Sequence, residues 1–517
     1  MTEPTSTTTP SKEELIQIVH TLYDDYIDND VIFNKFTQYI ENLPELLMNT
    51  NNTIIERAER KSKLEKDSEQ FIQKFLFNHN FYYHSSTEMF FEYKNNHYIL
   101  AKEDDIHHTI LSSISASKEL MDWKYKVKII ILKKIKERDI FSCIPESETI
   151  QSVINHISSS TGSNKEQSKY FLTVLGDILL KKCDLIYFLN IKTKPLIKEL
   201  NNLSCMLFGT PSLMNIFKFK YYEHSFNECR IIDLHDNINQ GNWNEYLKQN
   251  NGINLFCVAS YYSTRYEGGD NFLSEQCKDE NLKDHALYLK HFTQDQIMDN
   301  FVQKCVESSD DCSISWKNMQ YLWKQFVDME SLPNMFFTTT LKNLLTNKFK
   351  YDEKKDVFLD CTSKSLPIVS RFIQFWNHNI DLYDGGDGGE ELEIDELCSL
   401  FTYHTKNNIS EKNMLDLMKH YYPDTFIEND KYIIGAKCKL WDKKQDITTA
   451  IKKYKQSKHY QELFADEMPI NELYQVYCKG KRKFTVSKRY FENFVKEESE
   501  LYIVENNFIK VQSFDNI

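Results

Sequence analysis

Near its C-terminus the chain repeats itself, and this limits the fold more than any other feature. Ile394-Asp395-Glu396-Leu397 recurs as Ile470-Asn471-Glu472-Leu473. Each copy opens an amphipathic stretch and then reaches a serine placed to cap a second helix. Fourteen positions separate Glu396 from Ser410, and 15 separate Glu472 from Ser487. Each copy closes on a short apolar piece, Tyr432-Ile433-Ile434 in one and Tyr502-Ile503-Val504 in the other.

Helix, loop, capped helix and terminal strands are the outline of a winged helix-turn-helix. Two such modules in tandem are therefore expected, over 392–460 and 468–517. Immediately upstream, 384–391 holds four of the chain's 13 glycines, Gly385, Gly386, Gly388 and Gly389, among Asp384, Asp387, Glu390 and Glu391. These acids do not fall at the alternate positions of an EF-hand loop. The segment reads as an acidic linker between domains.

Residues 1–10 are a Thr-rich tail without the basic start and apolar core of a secretory signal. From Ser11 the apolar residues take helical spacing, as in Leu15, Ile18, Val19, Leu22 and Tyr26. The stretch 11–183 is thus a helical region, interrupted by an aromatic hairpin over 81–100 that turns at Asn95-Asn96. Ser147 is placed to cap a helix over 147–157, and 165–180 forms another. Three short apolar runs, 185–189, 230–234 and 253–260, read as buried strands with an amphipathic helix at 195–208 among them, which makes 184–314 a small α/β core. Two aromatic stripes, one from Trp316 to Phe326 and one from Ile368 to Trp376, make 315–383 a helical domain. The fold class is α+β, mainly α. No apolar run approaches the roughly 18 residues that span a bilayer, so a soluble intracellular protein with no membrane contact is expected.

Charge narrows the function. The formal net charge of −13 disfavours a protein that coats nucleic acid with its whole surface. The segment 438–496 nevertheless holds 14 Lys and Arg against 7 Asp and Glu, a local +7 on a remainder of −20. Lys479, Lys481, Arg482 and Lys483 precede Ser487, and Lys488 and Arg489 follow it in the first helical turn. In a helix-turn-helix that turn faces phosphate, so these six are the candidate nucleic-acid-binding residues. A solvated basic face or a protein-docking face is the alternative.

Lys192 and Lys194 lie between an apolar strand and a helix, where a phosphate loop belongs, and Asp233 and Asp236 lie after a second strand, where a magnesium carboxylate belongs. The loop has no glycine to converge its N–H groups, and Pro195 removes a donor. His107-His108 and Glu223-His224 complete no zinc set, and no serine-hydrolase elbow or kinase signature occurs. The 12 cysteines form no C-x-x-C pair and read as reduced thiols. No cofactor, no metal and no enzyme activity are expected.

Three passages carry a resemblance: Ile144-Pro145-Glu146-Ser147-Glu148-Thr149-Ile150-Gln151, Lys169-Tyr170-Phe171-Leu172-Thr173-Val174-Leu175-Gly176-Asp177, and Trp316-Lys317-Asn318-Met319-Gln320-Tyr321-Leu322-Trp323-Lys324. They resemble an uncharacterised family of mimivirus-like giant DNA viruses over roughly residues 71–517. The order of parts is also similar to poxvirus-type helicase-primase proteins, in which a helical collar precedes a helicase core and a winged helix follows. With the nucleotide-binding loop lost, that resemblance implies an inactive helicase-like scaffold. The expected function is a non-enzymatic viral scaffold in the host cytoplasm, at the viral factory, working with other viral proteins and with RNA or DNA. The alternatives are a protein-bridging subunit of a virus-encoded translation-initiation complex, and an ATP-dependent helicase with an aberrant phosphate loop.

Overall fold

The computed structural model describes residues 9–210, 213–234, 243, 245–247, 251–383, 390–456, 467–480, 483–498, 503–504 and 508–510. The chain divides into two compact units, Met1–Lys290 and His291–Ile517. Helices dominate both, and the strands form small sheets of two or three, so the fold is α+β and mainly α.

The first unit opens with a helical hairpin of α1 (Lys12–Tyr26) and the 49-residue α2 (Asp30–Asn78). Ser11 caps α1 through a reciprocal bond pair with Glu14. An antiparallel meander of β1 (Phe81–His84), β2 (Met89–Lys94) and β3 (His97–Ala101) follows. Asn95 and Asn96 both take positive φ, as a two-residue hairpin turn demands. The expected hairpin thus has a third strand. In α3 (Glu103–Ala116) Ile106, Ile110 and Ile114 form one buried stripe, and in α4 (Lys124–Lys136) Val127, Ile131 and Ile135 form its counterpart. Both stripes close on Ile72, Phe75 and Leu76 at the end of α2.

A larger core joins the meander to α5 (Ser147–Thr161), α6 (Lys165–Leu179), β4 (Ile186–Phe188), α7 (Lys194–Phe208), β5 (Phe217–Lys218), Ile232 and Leu234 just after β6 (Cys229–Ile231), and α8 (Gly252–Tyr266). The three strands are parallel, in the order β5-β4-β6. Two expectations are corrected here. Ser147 is the first helical residue rather than a cap, because Glu146 takes the N-cap position. The run 253–260 is helix, not strand, and β5 supplies the third strand instead. This helix is buried all round, so its sequence has no polar face to reveal a 3.6-residue period. Gly176 lets α6 cross it at backbone distance: a Cβ there would lie 2.0 Å from the Ala259 carbonyl oxygen. Since 143–286 shares one core, no boundary falls at 183/184.

The second unit is built from one motif used three times. The first copy runs α9 (Gln294–Cys305), β7 (Glu307–Ser315), α10 (Trp316–Met329), α11 (Thr338–Thr346), β8 (Tyr351–Asp352) and β9 (Val357–Thr362). The second runs α12 (Leu366–Asn379), β10 (Ile380–Leu382), β11 (Glu391–Glu393), α13 (Ile394–Thr405), α14 (Glu411–Tyr421), β12 (Ile427–Glu428), β13 (Tyr432–Ile434) and β14 (Ala436–Cys438). The third runs α15 (Lys443–Lys455), β15 (Glu467–Pro469), α16 (Ile470–Lys479), α17 (Lys488–Glu498), β16 (Ile503–Val504) and β17 (Phe508–Lys510). Each sheet has the last strand in the middle: β7-β9-β8, β11-β13-β12 and β15-β17-β16. The registers agree, with Ile314 opposite Phe358, Leu392 opposite Ile433 and Met468 opposite Ile509, all six buried. In each copy the first strand of the three-stranded sheet (β7, β11 and β15) runs straight into a helix whose fourth residue is buried: Met319, Leu397 and Leu473.

Two copies were legible in the sequence; the first was not. The region 315–383 is therefore no separate helical domain, and 314/315 is no boundary, since β7 leads directly into α10. Of the glycine segment, 384–389 lies outside the described residues. Its flanks correct the linker reading: β10 before it pairs with β14, and Glu391 opens β11. Residues 1–8 of the expected tail lie outside the described residues too.

Candidate nucleic-acid interface

Of the six cations expected to meet phosphate, four lie among the described residues: Lys479, Lys483, Lys488 and Arg489. Ser487 caps α17 as anticipated, its hydroxyl accepting from Tyr490 N–H at 3.2 Å, and Ser410 does the same for α14. Lys479 is exposed in the last turn of α16. Lys481 and Arg482 lie outside the described residues. Lys488 is exposed and pairs with Glu492 at 3.6 Å.

Arg489 corrects the expectation for the first turn of α17. It turns onto the second repeat, with Nε 3.2 Å from Glu391, a further pair to Glu428, and its guanidinium over the Tyr432 ring at 4.7 Å. A cation held by two carboxylates and a ring is a clamp between repeats, with little charge left for phosphate. The same junction explains the N-terminus of α17. Glu396, almost fully buried, accepts from Ser487 N–H at 2.6 Å and from Glu393 N–H at 2.8 Å, and pairs with buried Lys443. Lys443 also donates to the Glu391 carbonyl at 2.7 Å and lies over Tyr490 at 4.6 Å. A carboxylate from the second repeat thus occupies the anion position at the start of α17. Glu391 keeps one carboxylate oxygen buried without a partner, and burial pushes its pKa up despite Arg489 and Lys443 nearby.

Lys483 lies elsewhere, with cations that were not among the six. A groove of about 600 Å³ runs between the end of α13, α15 and the turn after α16. Tyr403, Trp441 and Phe484 form its aromatic lining, with Phe484 5.4 Å from each of the other two rings. Lys453 and Lys483 line it as well, both exposed. Lys483 lies 4.1 Å over the Tyr403 ring and Lys406 4.8 Å over it. The hydrogen bond and charge of Lys483 hold the Tyr403 hydroxyl below the ordinary phenol range. Asp446 is the groove's carboxylate and accepts from Tyr477 at 2.8 Å. Tyr403, 45% exposed, and half-buried Phe484 offer ring surface on which an unpaired base can stack, and the exposed Lys453 and Lys483 offer charge to its phosphate.

The other candidates lie at the carboxyl edge of the parallel sheet in the first unit, where open α/β sheets take ligands. Lys192 and Lys194 follow β4 and Asp233 follows β6, so topology brings them to one edge, while Asp236 lies outside the described residues. The backbone N–H groups of 192–194 bond within the loop. Lys192 N–H bonds the Asn190 side chain at 2.9 Å, Thr193 N–H and O–H both bond the Asn190 carbonyl, and Lys194 N–H bonds Ile191. Asp233 accepts from Gln167 at 3.5 Å. Among the described residues no nest of free N–H groups converges there for a phosphate.

Two acids nearby, buried Asp177 and half-buried Asp270, were not anticipated. Asp177 accepts from Ser263 at 2.5 Å and from Gly269 N–H at 2.7 Å, and burial raises its pKa. Asp270 holds Arg230 bidentately at 2.9 and 2.6 Å; burial alone would raise its pKa, but the guanidinium overrides this and lowers it. Both tie the end of α8 to the core. Among the described residues no group of three His, Cys, Asp or Glu could hold a metal, and no helix is long and apolar enough to cross a membrane. The chain matches no protein-family profile and no curated protein.

Proposed function

We propose that the chain is a non-enzymatic scaffold whose second unit contacts single-stranded nucleic acid through the Tyr403–Trp441–Phe484 groove. We read its three repeats as winged-helix modules. The scaffold would work with other viral proteins in the cytoplasmic replication or gene-expression machinery of a giant DNA virus. The observation that carries the nucleic-acid part is the clustering of three aromatic rings with Lys453 and Lys483 in one groove, on a segment of local +7. Stacking on such rings contributes about 1–3 kcal/mol per base. Titration of fluorescent single-stranded oligonucleotides with the full chain tests it. Tyr403→Ala with Phe484→Ala is expected to weaken binding at least about tenfold, and equal affinity for both proteins retires the groove.

One observation favours a second reading, a protein-bridging subunit such as that of a translation-initiation complex. Arg489 and the α17 N-terminus, the parts a helix-turn-helix presents to DNA, are engaged within the chain. Affinity purification from infected cells separates the readings: partners retained after nuclease treatment favour the bridge.

A further inference from the structure

The helical hairpin at the start of the chain has no core. No residue of α1 is buried, and the first buried residue of α2 is Ser68. The apolar residues are there all the same: Leu46, Leu47 and Ile54 are 57%, 59% and 59% exposed. The 15 residues of α1 span about 22 Å. Running back along α2 from the Tyr23–Phe33 ring contact at 5.2 Å, that length ends near residue 45. Beyond it, Leu46, Leu47, Ile54 and Ile55 stay exposed among the described residues. Pro44, inside α2 just before this stretch, removes a helical hydrogen bond, so a helix here relies on packing to persist.

The sequence of α2 indicates what packs there. Phe36, Ile40, Leu43, Leu47, Thr50 and Ile54 recur at alternating spacings of four and three, the seam of a coiled coil. The seam reads the same in both directions about position 45: antiparallel pairing sets Phe36 opposite Ile54, Ile40 opposite Thr50 and Leu43 opposite Leu47. Charge agrees with that direction. Asp24, Asp25, Asp28 and Asp30 crowd the hairpin tip, whereas 57–66 carries Arg57, Arg60, Lys61, Lys63 and Lys66 against Glu59 and Glu65. Parallel copies would set acid on acid. Antiparallel copies set each acidic tip beside the other's basic stretch.

We infer that the α1–α2 hairpin pairs antiparallel with that of a second copy of this chain. At each end α1 and the first half of α2 then bundle with the second half of the partner's α2. This does not depend on the function proposed above.

The test is sedimentation of the full chain across a concentration series at low salt. The wild type is expected to dimerise in the low micromolar range. Reversing the tip (Asp24→Lys, Asp25→Lys, Asp28→Lys) or the basic stretch (Arg60→Glu, Lys61→Glu, Lys63→Glu) should each raise the dissociation constant at least about tenfold. All six residues are exposed, so neither set disturbs a core. Carrying both sets together should restore the wild-type value. The inference is overturned by a wild type that stays monomeric to about 50 μM, well above that range, by block reversals that change nothing, or by a combined variant no tighter than either block alone.

Discussion

Removing the Glu396 carboxylate is the sharpest perturbation of the second unit. Its side chain and that of Lys443 are 3% and 6% exposed, so the rule for buried pairs applies and the small values of surface pairs do not. Glu396→Ala leaves the Lys443 ammonium with the Glu391 carbonyl as its hydrogen-bond acceptor at 2.7 Å, and strips the acceptor from the Ser487 and Glu393 amides. Breaking one partner of such a pair costs about 3–5 kcal/mol. Glu396→Leu with Lys443→Met should cost much less, because no charge is then stranded. Hydrogen exchange of the full chain against urea, read on peptides covering 443–455 and 484–495, reports the opening of this junction. The single variant should lose most protection there and none in the first unit. A loss below about 1 kcal/mol, the surface-pair range, or a double variant as unstable as the single, would refute the reasoning.

Glu391 gives a pH prediction. Its pKa is raised on folding, so the ionised form is disfavoured in the fold, and this group's contribution to stability grows as pH falls from neutral towards the ordinary value of 4.5. Glu391→Gln should match or exceed wild-type stability at pH 7, and the difference should shrink on acidification in paired urea melts; a variant that is less stable at pH 7 goes against it. In the first unit, Gly176→Ala sets a methyl group 2.0 Å from a backbone oxygen that cannot swing aside. A cost of about 3 kcal/mol or more is expected, outweighing the better helix propensity of alanine, and wild-type melting would disprove the close crossing.

Much of the fold was legible wherever one face of an element meets water. The stripe of Leu15, Val19 and Leu22 and the caps at Ser410 and Ser487 follow from local pattern, and the buried strands at 186–188 and 229–231 follow instead from short apolar runs. The run 253–260 was not, since a helix buried on every side loses its period. The first repeat was hidden for another reason. Its strand β7 is irregular between Ser308 and Ser313, and Met319 shares with Leu397 and Leu473 only its apolar character.

The site was half legible. Counting charge located the basic segment, and Lys483 stands where the groove is. Nothing local could show that Arg489 turns to Glu391 and Glu428, residues 98 and 61 positions away, or that Tyr403 and Trp441 from the second repeat's side meet Phe484. These are contacts between repeats, and the periodicity within each repeat does not encode them.

The central claim is that the groove cations, and not the first turn of α17, meet phosphate. The salt dependence of single-strand binding by the full chain measures this most directly. Each phosphate neutralised contributes about −0.7 to the slope of log K against log salt. Lys453→Ala with Lys483→Ala should therefore flatten the slope by about 1.4, while Arg489→Ala leaves it unchanged. An unchanged slope in the lysine variant, or an equal flattening by Arg489→Ala, would contradict the account.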